Sequence, residues 1–143
     1  MRATAPRAGI VGVPRVIVGA AVAPGIEVVF TVPLGERWQM LQARAVLGTD
    51  ATIVDRRAGW RVDDGAGNDV YVKRAPSVQV ASTFAGYSLS PSGVVEPLTQ
   101  DEITMAYPAN LVLLSGWHLR TFTFNLQPGD QWISAIVTVG NIL

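Results

Sequence analysis

The chain has 143 residues, enough for one hydrophobic core and too few for two comfortable domains. Eleven basic residues balance eleven acidic ones, so no net field draws nucleic acid or an anionic membrane, and neither is expected as a partner. Cysteine is absent, which removes disulfides and thiolate metal sites, while 49% hydrophobic against 15% charged residues predicts apolar surface turned toward a partner.

From Met1 to Gly25 the sequence is apolar and punctuated by Pro and Gly, which reads as an extended arm preceding a domain that spans residues 26–143. The arm opens with the charge and small residues of an export signal, but Pro14 and Arg15 split its apolar stretch. Pro14, Arg15, Pro24 and Glu27 likewise interrupt every candidate for a membrane-spanning helix. An apolar arm needs a surface to lie on, either the chain's own sheet or a neighbouring subunit, so Arg15, Val16, Ile17 and Val18 are candidate interface residues.

After the arm, runs rich in Val, Ile, Thr and aromatic residues alternate with turn residues. Strands are predicted at Ile26–Val32, Trp38–Val46, Thr52–Val62, Val70–Lys73, Ser77–Phe84, Leu111–Leu114, Trp117–Leu126 and Trp132–Val139. Such a series implies an all-β fold, an antiparallel β-sandwich of jelly-roll type. The stretch Thr99–Ala106 is the one place where a turn or two of helix is expected.

Alternation assigns faces. Ala58, Trp60 and Val62 are expected inside with Arg57, Gly59 and Arg61 outside, and Phe122, Phe124 and Leu126 are expected to be buried. In the second run Leu41, Ala43 and Ala45 oppose Trp38 and Met40, and in the last one Ile133, Ala135 and Val137 oppose Trp132 and Ile136. Apolar groups on both faces mark a central strand or an interface, which adds Trp38, Met40, Trp117 and Trp132 to the candidate interface. Ten of the eleven basic residues are Arg, Lys73 being the exception; that suits multi-donor contacts at interfaces, and GC-rich coding explains it equally well.

Candidate chemistry is sparse. Asp63-Asp64-Gly65-Ala66-Gly67-Asn68-Asp69 gathers carboxylates and glycines as a calcium loop does, but it lacks EF-hand spacing and reads as a hairpin turn between Val62 and Val70. His118 is the only histidine, which excludes a multi-histidine metal site and fits a surface or interface side chain. No Gly-x-Ser-x-Gly turn is present, and Gly65-Ala66-Gly67 does not lead into a helix as a phosphate loop would. Glu36, Asp55, Glu96, Asp101, Glu102 and Asp130 offer pairs of the kind glycosidases use; Glu36 and Asp130 are better explained as acceptors for turn amides. No catalytic residue, metal or cofactor is assigned. Trp38, Trp60, Tyr71, Trp117 and Trp132 are read as core ends and interface groups, with a sugar-stacking platform as the alternative.

Two segments, VPLGERWQMLQARAVLGTDATIVDRRAGWRVDDGAGNDVYVKRAP and SGWHLRTFTFNLQPGDQWISAIVTV, carry a Gly-Glu-x-Trp strand entry, an Arg-Arg strand, an Asp-Gly-x-Gly-Asn hairpin and a closing Gly-Asp-Gln-Trp strand. This pattern resembles small structural proteins of tailed-bacteriophage virions. It covers about half the chain, leaving out Met1–Gly25 and Ser90–Asn110. The resemblance implies a non-enzymatic virion subunit, foremost a capsid decoration or cement protein that assembles with its own copies and with a major capsid or tail protein. A tail or head-fibre module that binds glycan is the alternative, and a glycan-cleaving enzyme is a weaker third.

Overall fold

The computed structural model describes residues 13–91, 102–108 and 110–141. Ten strands are formed: β1 (Pro14–Val18), β2 (Val29–Thr31), β3 (Trp38–Gly48), β4 (Arg57–Asp63), β5 (Asp69–Arg74), β6 (Phe84–Ser90), β7 (Glu102–Ala106), β8 (Val112–Leu113), β9 (His118–Phe124) and β10 (Gln131–Asn141). They lie in two sheets, one ordered β1-β10-β3-β6-β7 with β8 also on β3, the other β2-β9-β4-β5. The pairs β1 with β10, β2 with β9, β3 with β6 and β4 with β5 nest inside one another along the chain. Rolling such a nested hairpin produces the jelly roll, so the expected fold class is found. One pairing departs from the antiparallel expectation, because β7 runs parallel to β6.

The described part of the arm belongs to this roll. β1 is an edge strand paired with β10 from Pro14↔Gly140 to Val18↔Ile136, and Ile17 packs against the core. Residues 1–12 lie outside the described residues.

Several predicted elements shift. The strand expected over Thr52–Val62 begins only at Arg57, because the backbone of 49–55 is bent around the Arg56 side chain. The run Ser77–Phe84 is a loop tied by a single bridge, Arg56↔Gln79, and the strand follows it at Phe84–Ser90. The helical turn expected within Thr99–Ala106 is instead strand β7 where it is described.

Two β-bulges decide which side chains face inward. Between Ile133↔Val46 and Ile136↔Arg44, β10 advances three residues while β3 advances two, with Ser134 at φ 53° taking up the extra residue. Between Thr138↔Gln42 and Val139↔Met40, the surplus residue is on β3, at Leu41. Each bulge reverses the phase of alternation. Trp38 and Met40 therefore share the inner face with Ala43, Ala45 and Leu47, and Trp132 shares it with Ala135, Val137 and Val139. The strands that look two-faced under strict alternation each have one buried face.

A third reversal is in β9, where Leu119 and Thr121 are buried while Phe122 is half-buried and Phe124 is 70% exposed. The threonine is inside because it has partners there: its Oγ1 accepts the Val28 amide at 2.9 Å and lies 3.2 Å from Glu27. The expected faces of β4 do hold, with Ala58, Trp60 and Val62 in the core.

One end of the sandwich is closed by a buried ion pair. The Arg56 guanidinium donates to both Asp130 oxygens at 2.9 Å, to Asp50 Oδ1 at 2.7 Å, and to the carbonyls of Thr52 and Val54 at 2.8 and 2.7 Å. Asp130 also accepts the amides of Asp50 and Gln127 at 2.8 Å, so its expected role as a turn acceptor is found together with a salt bridge. Burial pushes the Asp130 carboxyl up, but Arg56 and the two amides outweigh it and hold it below its ordinary value. Glu102 follows the same logic: burial raises it, and Arg44 with Ser88 brings it lower overall.

Replacing Asp130 with Ala leaves the Arg56 charge buried without its partner, and chemical denaturation is expected to show a loss of about 3–5 kcal/mol. Because Asp130 and Glu102 are depressed from ordinary values of 3.8 and 4.5, their stabilisation is complete above those values and is lost as pH falls through the lower folded ones. Thermal melts are expected to be flat from neutral pH to about 4.5 and to fall below it, with a shallower fall in Asp130→Asn. Deleting residues 1–25 removes β1 and uncovers the β10 edge, so the truncated chain is expected to melt at a lower temperature by circular dichroism.

Candidate functional site

The two outer faces of the sandwich differ in chemistry. On the first sheet, the outward residues of β1 and β10 include Val16, Val18, Ile133 and Ile136, with Thr138 opposite Val16, Arg44 of β3 opposite Ile136, and Phe84 of β6 further across. Val16, Val18 and Phe84 are 61%, 73% and 66% exposed, and Ile133 and Ile136 are also open to solvent. An antiparallel sheet with one solvated face ordinarily carries polar residues there, so this apolar set is a candidate contact surface. It adjoins the outer edge of β1, which pairs with no other strand among the described residues. Beside that edge a groove of about 390 Å³ separates the sheets, lined by Ile17, Val18, Val29 and Phe30 and closed by an Arg15–Glu36 ion pair. Glu36 is held below its ordinary pKa by hydrogen bonds from Arg15 and then from Trp38 Nε1 at 3.1 Å. Its carboxylate thus serves side chains, where turn amides were expected.

The candidate interface residues divide accordingly. Arg15, Val16 and Val18 are exposed and Ile17 is half-buried, all on β1. Trp117 is half-buried in the turn before β9. Trp38, Met40 and Trp132 are buried and present no surface to a partner, a correction that follows from the two bulges. Trp132 packs edge-on against Tyr87 with ring centroids 5.7 Å apart, and its Nε1 donates to Thr123 and Glu27. Strict alternation puts Ile133 inside with Ala135 and Val137, and the bulge at Ser134 turns it outward; Phe84 is exposed at the start of β6, where the sequence reading ended a strand.

The second sheet presents arginine and aromatic groups. Arg57 and Arg61 of β4, Arg74 of β5, and His118, Arg120, Phe122 and Phe124 of β9 share its outer face through the pairs Asp63↔His118, Arg61↔Arg120, Gly59↔Phe122, Arg57↔Phe124 and Gly59↔Arg74. The Phe122 ring lies over Gly59, where an added Cβ would meet the ring at 2.7 Å and the Lys73 carbonyl closer still. The guanidinium carbons of Arg61 and Arg74 sit 5.9 and 5.7 Å from the Phe122 centroid, within cation–π range. Asp63, buried at the end of β4, takes Arg120 at 2.9 Å, His118 Nδ1 at 3.1 Å and the Gly65 amide at 2.8 Å.

The Asp63–Asp69 segment is the expected hairpin. Gly65 and Gly67 adopt φ 77° and 93°, and the Asp64 carboxylate accepts the Ala66 and Asn68 amides and Asn68 Nδ2. Among the described residues no three His, Asp or Glu side chains converge in metal-binding geometry. Of the acids considered for glycan cleavage, Glu36, Glu102 and Asp130 are each held by an arginine and lowered in pKa, where a general acid needs a raised one. Glu96 and Asp101 lie outside the described residues. Of the five aromatics considered as a sugar platform, Trp38, Trp60 and Trp132 are buried and Tyr71 donates its hydroxyl to the Ala106 carbonyl.

No model of a known protein family matches the chain, and no curated protein shows significant similarity to it.

Gly59→Ala is expected to cost about 1–3 kcal/mol in denaturant unfolding, because either the Phe122 ring or the β5 backbone must move.

Proposed function

We propose that this protein is a non-enzymatic structural subunit, a virion decoration or cement protein that works by protein–protein contact with its own copies and with a shell or tail protein. One observation carries the reading: the jelly roll leaves Val16, Val18, Ile133, Ile136 and Phe84 in solvent on one outer face, beside a strand edge that is unpaired among the described residues. Burying such a face is favourable at about 25 cal/mol per Å², so roughly 800 Å² per partner is a large term before association costs. Many copies on a repeating shell turn moderate single contacts into durable attachment. The jelly roll is also a common fold of capsid domains and of lectins, so it is compatible with this reading and with the glycan-binding alternative alike. Burial of three of the four tryptophans favours the structural reading over the glycan one.

Light scattering over a range of concentrations is expected to show a dimer or trimer for the full chain and a monomer for the Val16→Asp, Val18→Asp double variant, with the near-ultraviolet dichroism of the buried tryptophans unchanged. Because both valines point outward from an edge strand, the substitutions leave the core intact. A full chain that is monomeric at every concentration and does not sediment with phage shells would sink the proposal.

A further inference from the structure

Arg57 and Arg74 stand out on the second sheet because neither pairs with a carboxylate among the described residues. Arg15, Arg44, Arg56, Arg61 and Arg120 each have an acidic partner, the Arg61 contact with Asp69 being the loosest at 3.6 Å. Arg57 and Arg74 are exposed, yet they are not placed at random. The Arg74 guanidinium lies over the Phe122 ring, which packs on Gly59, and Arg57 is in register with Phe124. Between them runs a groove of about 340 Å³ lined by Asp55, Arg57, Arg74, Val78, Phe124 and Asn125. Its lining combines an exposed aromatic ring and a valine with two guanidinium groups, Asn125 and the single carboxylate of Asp55, so the groove is net positive.

We propose that this groove is a docking site for an extended acidic segment of a partner protein, in which carboxylates pair with Arg57 and Arg74 and an intervening apolar side chain packs between Phe124 and Val78. Charge complementarity selects this occupant. Guanidinium groups match carboxylates with two parallel hydrogen bonds, and a group stacked on an aromatic ring loses less conformational freedom when it binds. Alternating side chains of an extended strand suit a groove with charge at the rim and apolar walls. A nucleic-acid backbone fits less well, because Asp55 and Asp69 interrupt the positive charge that a run of phosphates requires. The proposal does not depend on the apolar face of the first sheet or on the virion reading.

The test is fluorescence anisotropy of the full chain with four labelled probes: a peptide alternating Glu and Leu, the same peptide with Gln for Glu, the same with Ser for Leu, and an oligothymidylate of equal charge. The Glu/Leu peptide is expected to bind most tightly and to weaken as salt is raised. Arg57→Gln and Arg74→Gln are each expected to weaken it about five- to tenfold, and Phe124→Ser to erase the advantage over the Glu/Ser peptide. All three side chains are exposed, so the variants keep the wild-type dichroism spectrum. Equal binding of the Gln/Leu peptide, insensitivity to both arginine substitutions, tighter binding of the oligothymidylate, or no binding of the Glu/Leu peptide would each overturn the proposal.

Discussion

Arg56 places all five N–H groups of its guanidinium on oxygens, and that buried fork ties the lead-in to β4 to the end where β3 and β10 pair through Gln131↔Gly48. Asp130 lies in the turn before β10, Asp50 just after β3, and Thr52 and Val54 in the irregular lead-in to β4. Holding them around one charge sets where β4 leaves the first sheet for the second and where β10 enters. Both ions are fully buried, so the arrangement is favourable only because every donor is used and both carboxylate oxygens are shared with backbone amides. A buried charge with a complete hydrogen-bond set tolerates few alternative geometries, which suits a device that fixes the closure of a roll.

The two bulges in the β3–β10 ladder do comparable work in the middle of the first sheet. Shifting the phase of β10 at Ser134 and of β3 at Leu41 lets two long strands, each opening with a tryptophan near its start, bury that residue and still bury the small residues farther along. The consequence for the surface is equally direct. Ile133 turns outward to join Ile136, Val16 and Val18, producing an apolar patch on the outer face, while the tryptophans are withdrawn from solvent. The second sheet is different because Thr121 and Thr123 face inward, toward Glu27 and Trp132 Nε1, which leaves the phenylalanines of β9 on the outside among arginines. Two faces of distinct chemistry on one small roll make simultaneous contact with two kinds of surface geometrically available, and each proposal rests on one of them.

Much of this architecture was legible in the residues. The all-β class, the hairpin at Asp63–Asp69, the inward set Ala58, Trp60 and Val62, and the turn role of Asp130 follow from local rules of alternation and turn chemistry. Less legible were β6, whose run FAGYSLS has little β-branched content, and β7, which needs its parallel neighbour to form at all. The candidate contact surface was half legible: β1 was singled out for its apolar run, whereas Trp38, Met40 and Trp132 were placed outside by an alternation that the bulges break.

What the sequence determined by itself is what adjacent residues decide: strand-forming composition, positive-φ turns at glycines, and the lack of cysteine and of a second histidine. Tertiary structure decided the phase of each strand, the pairing of Arg56 with Asp130 across 74 positions, and which arginines are left uncompensated. The physical reason is that a one-residue bulge or a buried ion pair is selected by the free energy of long-range packing, and that energy does not exist until the two sheets close on each other.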